Sequence, residues 1–206
     1  MTDAVIENPI LNSPFEMPSR HWKFNDDGIT NEIEPGRRPS AYFMPIPATR
    51  RRQAAQQELD FEEWTKDRIE ETRFVNDIRH EVDKWRFNRW QGVTATTRAL
   101  LEHWTTASRE RRLYFCQVEA AETAIWLAEV AGREGPGRRI LNDLGSFSQD
   151  ANPGLFRVAH KMATGTGKTT LMAMLITWQV LNKGVSPQDN RFSDAFLIVT
   201  PVEGVQ

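Results

Sequence analysis

Cysteine is almost missing from this chain: Cys116 is the only one in 206 residues. A single thiol excludes an internal disulfide framework and a cysteine-rich metal site, and its apolar neighbours mark Cys116 as a small core residue. Long hydrophobic runs are missing too. No stretch approaches the roughly 20 apolar residues of a membrane-crossing helix, and Met1-Thr2-Asp3-Ala4 lacks the basic segment that opens a signal peptide. Nor is there an excess of one charge. Lys and Arg number 26 and Asp and Glu 28, for a formal net charge of -2, so any nucleic-acid surface would have to be a local patch. Internal repeats and low-complexity tracts are absent. What remains is the expectation of a soluble, cytoplasmic protein with no membrane partner. With 39% hydrophobic and 26% charged residues, it can pack a core as one ordinary domain or two small ones.

Residues 1–58 are punctuated by proline, from Asn8-Pro9 to Pro45 and Pro47. Proline fixes φ and disfavours helix in the residue before it. An extended arm is expected, with short strands around His21–Phe24 and Ala41–Met44. Its aromatics Phe15, Trp22, Phe24, Tyr42 and Phe43 imply packing. Arg50-Arg51-Arg52 is a basic cluster, read either as solvated surface or as a phosphate contact.

From 59 to 131 the periodicity is helical. Phe74, Val75, Ile78, Val82 and Trp85 recur at three- and four-residue steps in a first helix to about Phe87. A second helix is expected over Thr96–Thr106, with Leu100, Leu101 and Trp104 inward and Thr94 or Thr96 as cap. A third runs from about Arg111 or Leu113 to Ala131, its apolar side marked by Phe115, Val118, Ala121, Ile125 and Ala128. Trp64, Trp85, Trp90, Trp104 and Trp126 read as anchors of this helical core. His103 has no partner at metal spacing. Residues 132–153, rich in Gly, Pro, Ser and Asn, read as a long connection with at most a turn of helix around Arg139–Leu144.

The stretch that carries chemistry is Ala163-Thr164-Gly165-Thr166-Gly167-Lys168-Thr169-Thr170. Gly165 and Gly167 let the backbone turn tightly and bring N–H groups close to an anion. Lys168 can place a cation on the outer phosphates, and the Thr169 hydroxyl suits a Mg²⁺ position. The general pattern is G-x-x-x-x-G-K-[ST]; Met162 stands where it has its first glycine. The flanks supply the context of a phosphate loop. Leu155–Met162 alternates as a short strand would, and Leu171–Leu181 is an apolar run without Gly or Pro, a buried helix stopped by Lys183-Gly184. Ala195–Thr200 is a short apolar run of the kind that forms a buried parallel strand.

These residues resemble a known family. Met162-Ala163-Thr164-Gly165-Thr166-Gly167-Lys168-Thr169 is similar to motif I of superfamily 2 DEAD/DEAH-box helicase-like ATPases, most closely the ATPase subunits of type I and type III restriction enzymes. Phe196–Pro201 is similar to the strand leading into motif Ia, and Tyr114–Thr123 to the helix upstream of motif I, where a glutamine reads the adenine edge. Asn12-Ser13-Pro14-Phe15 and Arg20-His21-Trp22 resemble the amino-terminal region of type III restriction-like members. The resemblance implies an α/β fold: a mainly helical amino-terminal region followed, from about 154 to 206, by the start of a RecA-like P-loop domain with an incomplete parallel sheet. It implies ATP and Mg²⁺ as cofactors, DNA as partner, and a modification (methyltransferase) subunit as a further one.

Carried over position by position, Lys168 would bind the β- and γ-phosphates as the catalytic lysine and Thr169 would bind Mg²⁺. Thr164, Gly165, Thr166, Gly167, Lys168, Thr169 and Thr170 would form the cofactor-binding loop. Gln117 would contact adenine, its amide donating and accepting in one plane; an ordinary solvent-facing helix glutamine is the other reading. Phosphoryl transfer also needs an acidic residue for Mg²⁺ and water, and usually an arginine finger. The family keeps these in motifs II and VI, neither of which occurs in this sequence, and no nuclease motif occurs either. The resemblance therefore implies the ATP-binding amino-terminal part, ending after motif Ia, of a DNA-dependent helicase or translocase of restriction-enzyme type, whose full-length parent couples ATP hydrolysis to action on DNA; the other reading is a non-catalytic truncated product that at most binds nucleotide or a partner protein.

Overall fold

The computed structural model describes residues 9–25, 28–41, 58–151 and 153–199. About half of these are helical, and the fold is α/β in composition, with one small antiparallel sheet. The chain divides into two units, Met1–Phe87 and Asn88–Gln206.

In the first unit, β1 (Arg20–Asn25) and β2 (Gly28–Pro35) pair antiparallel, Arg20 opposite Pro35 and Trp22 opposite Ile33, with a register shift between Trp22 and Phe24. The strand expected around 21–24 is thus present. Of the strand expected at 41–44, only Ala41 is described, and it lies outside any strand; Arg50-Arg51-Arg52 lies outside the described residues. The arm is fastened by side chains that satisfy main-chain groups. Asn12 Oδ1 accepts from the N–H groups of Ser19 (3.0 Å) and Arg20 (3.3 Å), and Asn12 Nδ2 donates to Arg20 O at 2.9 Å. The Trp22 indole donates to Pro9 O at 3.2 Å. Asn76 clasps Ser40 from both sides, accepting its N–H at 2.8 Å and donating to its carbonyl at 3.2 Å. Asn76 sits on α1 (Glu58–Phe87), the first expected helix. Val82 and Trp85 are buried as the periodicity predicts, while Val75 falls on the exposed side.

The second unit is a helical cluster. α2 (Ala95–Thr105) is capped by Thr94, whose hydroxyl accepts from Thr97 N at 3.0 Å. α3 (Phe115–Glu129) runs into a short 3₁₀ turn at Ala131–Arg133. α4 (Gly135–Ala151) occupies the segment read as a connection. Gly135-Pro136-Gly137 signals a loop by composition, but proline is tolerated in the first turn of a helix, where its missing N–H costs nothing. Gly137 is needed for contact: a Cβ there would collide with the Ala131 backbone, so α4 starts pressed against the 3₁₀ turn. α5 (Lys168–Val185) packs on α2 and α3.

The core between these helices holds Leu101, Trp104, Val118, Ala121, Ile125, Trp126, Leu171, Met174 and Trp178. Ala128, expected inward, is exposed; Trp126 and Leu127 are buried instead, with Glu122 and Glu129. Two buried acids need donors, and each has indole partners or hydroxyls. Glu122 takes the Trp90 Nε1–H at 2.7 Å. Glu129 takes Thr97 Oγ1–H at 2.6 Å, Trp178 Nε1–H at 2.9 Å and Thr94 N–H at 2.9 Å. Asn182 closes this polar centre, donating to Thr97 Oγ1 at 2.9 Å. The apolar periodicity of this helix carries no signal for burying two acids.

The parallel strands expected on either side of the glycine turn are not formed. Among the described residues, β1 and β2 make the only sheet, and 155–162 and 195–199 are in no strand; Thr200 lies outside the described residues. A strand is stable only when neighbours take its N–H and C=O groups. Apolar content alone, which these two runs have, does not supply that pairing.

Candidate functional site

The glycine stretch is a tight turn leading into α5. Gly165 (φ +79°) and Gly167 (φ +80°) both occupy the left-handed region that side chains with a Cβ disfavour. Gly167 is the residue immediately before Lys168, the first of α5. The first turn of a helix has N–H groups without intrahelical acceptors and carries the positive end of the helix dipole. The sequence thus places its two glycines where the backbone must reverse just before an anion-attracting helix end.

Around the turn the polar groups are ordered. Thr166 Oγ1 donates to Ala163 O at 2.7 Å, closing the loop on itself. Lys168 Nζ donates to Ala163 O at 3.0 Å and to Met162 O at 3.4 Å, so the ammonium lies across the loop. Leu171 N–H bonds Gly167 O at 3.1 Å and starts the helical ladder. Thr164, Gly165, Lys168, Thr169 and Thr170 are exposed, and Thr166 and Gly167 half-buried. The far end of α5 is anchored by Trp178 and Asn182 in the Glu129 centre and by the edge-on contact of Trp178 with Phe192, ring centroids 5.7 Å apart.

Gln117, 49 residues before Thr166, meets the loop: its Nε2 donates to Thr166 O at 2.9 Å. Its Oε1 accepts the N–H of Tyr114 at 3.0 Å, the reciprocal half of a capping box at the start of α3. Gln117 is only 5% exposed, so it is not a solvent-facing helix glutamine. A Cβ on Gly167 would run into Gln117 Nε2, a second reason for glycine there. All the sequence-selected site residues therefore converge on one place. Spacing gave no sign that α4 would fill the interval between Gln117 and the loop.

The approach to the loop, 155–163, is tied to α4 by Ser148, whose hydroxyl donates to Leu155 O at 3.1 Å and accepts Arg157 N–H at 2.9 Å. Burial holds the His160 imidazole below its ordinary value, favouring the neutral ring, and pushes the Cys116 thiol up. Neither group supplies charge to the loop in the neutral range. His103 is exposed, and among the described residues no group of three or more His, Cys, Asp or Glu side chains is placed to hold a metal. Also among the described residues, no helix is long and apolar enough to cross a membrane.

The donor set fits a polyphosphate: helix-end N–H groups, a lysine ammonium and hydroxyls on adjacent residues, with no acidic side chain in the turn from Ala163 to Thr170. For Mg²⁺ the loop offers the Thr169 hydroxyl, with phosphate oxygens to complete the shell. In comparison with known proteins, the chain matches no family model, no curated protein and no solved structure.

Proposed function

We propose that this chain carries the nucleotide-binding start of a DNA-dependent ATPase, of the helicase or translocase type found in restriction enzymes, and that the loop from Thr164 to Thr170 grips the triphosphate of ATP. The observation that carries the reading is the turn itself. Two glycines at positive φ lead directly into a helix whose first residue is lysine. The likeness of Met162–Thr169 to motif I supplies the ATPase class, and DNA and a modification subunit as partners follow from that likeness alone.

In this reading the backbone N–H groups of the turn bind the phosphates. Lys168 would exchange its contacts with Ala163 O and Met162 O for β- and γ-phosphate oxygens, and the Thr169 hydroxyl would hold Mg²⁺. The metal, when bound, neutralises charge on the phosphates. The cofactor domain would be the RecA-like start of 154–206.

A second reading is favoured by two observations: 155–162 and 195–199 are in no strand among the described residues, and the sequence has no Asp-Glu-Ala-Asp or Asp-Glu-x-His stretch to position Mg²⁺ and water. This polypeptide then binds nucleotide, or a partner protein, without turning ATP over. A steady-state ATPase assay with and without duplex DNA separates the two. Binding without turnover supports the second reading; turnover lost in Lys168→Ala supports the first.

A further inference from the structure

Gln117 has a place in the loop that differs from reading a base. A glutamine that reads an adenine must present its amide edge to the ligand. Here the amide is committed at both ends to main chain, Oε1 to Tyr114 N–H and Nε2 to Thr166 O, and the residue is almost wholly buried.

The Thr166–Gly167 peptide turns that contact into a phosphate-binding consequence. A trans peptide is planar, and its C=O and N–H point in opposite directions; none of the described peptide bonds is cis. With the Thr166 carbonyl drawn toward Gln117, the Gly167 N–H points away from Gln117. Rotation of this peptide by half a turn would point a carbonyl where the anion needs a donor. The backbone at Gly167 is free to make that rotation because glycine populates both signs of φ, so the turn needs an outside group to choose. Gln117 is that group, and it fits because Gly167 has no Cβ to keep its Nε2 away.

We propose that Gln117 is a positioning residue for the phosphate loop: through Thr166 O it fixes the peptide that aims the Gly167 N–H at the anion, and it contributes to triphosphate affinity without selecting the base. The proposal rests on the nucleotide-binding reading above for its ligand, but not for the contact itself. One end of the amide belongs to α3 and the other to the loop, so the start of α3 and the start of α5 are held by a single side chain.

The test uses the full chain, ATP and inorganic tripolyphosphate, each with Mg²⁺, and the variants Gln117→Ala and Gln117→Glu. The carboxylate of Gln117→Glu keeps an acceptor for Tyr114 N–H but has no hydrogen to give Thr166 O. Both variants should weaken ATP and tripolyphosphate by the same factor, about five- to tenfold for one lost hydrogen bond. Amide exchange provides a readout that needs no ligand. In Gln117→Glu, the Tyr114 N–H should stay protected while the Leu171 N–H, in the first turn of α5, exchanges faster. Loss of ATP affinity with tripolyphosphate affinity unchanged would overturn the proposal in favour of a base reader, as would exchange at Leu171 unaltered in both variants. A wild-type chain that binds neither probe would instead overturn the nucleotide-binding reading, and the exchange measurement then decides the positioning contact alone.

Discussion

At the scale of single residues, the glycine turn was the most legible part of the chain. Gly165 and Gly167 announce themselves by type and spacing, because glycine adopts positive φ without strain, and Lys168 opens the helix that follows them. The destination of Gln117 was not legible, since a hydrogen bond between residues 49 positions apart leaves no periodic trace. Lys168→Ala should weaken Mg²⁺-ATP binding roughly tenfold to a hundredfold, the loss of a charge-assisted contact, with the thermal midpoint unchanged. Gly167→Ala should both strain the turn, by on the order of 1–3 kcal/mol, and press on Gln117 Nε2; denaturant titration and a nucleotide-binding assay should both register it. Cys116, its thiol pushed up by burial, should react with alkylating reagents at neutral pH more slowly than free cysteine.

At the scale of elements, apolar residues at helical spacing located α1, α2 and α3, and an apolar run without Gly or Pro located α5. Helical spacing passed over α4, whose Gly-Pro-Gly opening reads as a break although proline sits comfortably in a first turn. It carried no signal for the burial of Glu129. The donors that make this possible come from α5, from Thr97 of α2 and from the threonine that caps α2, and tertiary partners are invisible to a one-dimensional pattern. Trp178→Phe removes the N–H that serves Glu129 and Thr97 together with part of a buried ring. The buried acceptor left short of a donor should cost about 1–3 kcal/mol in urea unfolding, and the vacated ring volume adds to that loss. The loop after α5 gives a pH signature. Asp189 is held down to about 2 by its hydrogen bonds from Arg191. A folded-state value below the ordinary 3.8 means that its contribution is present above that value and is lost as pH falls through about 2. Asp189→Asn should therefore lower the thermal midpoint at neutral pH, and the gap from wild type should close below about pH 2.

At the scale of the whole molecule, much apolar surface in the second unit is open. Leu155 and Phe156 lie exposed before it, Val180, Leu181 and Val185 on α5, and Phe196 to Val199 after it, with Leu197 at 89% and Val199 at 83% exposure. Exposed runs of this composition, without charge or proline, favour strand pairing between chains. Replacing Leu197 and Val199 by lysine should suppress self-association in light scattering and leave stability within about 0.5 kcal/mol, as expected for exposed positions. The sequence reading of strands at 155–162 and 195–200 recognised the same apolar content, but a sheet is a property of several segments together. The loop and its helix stand without those strands, held by Gln117 at one end of α5 and by Glu129 at the other. The proposed grip of this loop on a triphosphate is decided by calorimetric titration of the full chain with Mg²⁺-ATP, beside Lys168→Ala. Saturable binding by the wild type that is lost in the variant is the predicted result. Absence of binding by a folded wild-type chain, or binding of equal strength in both proteins, would contradict it.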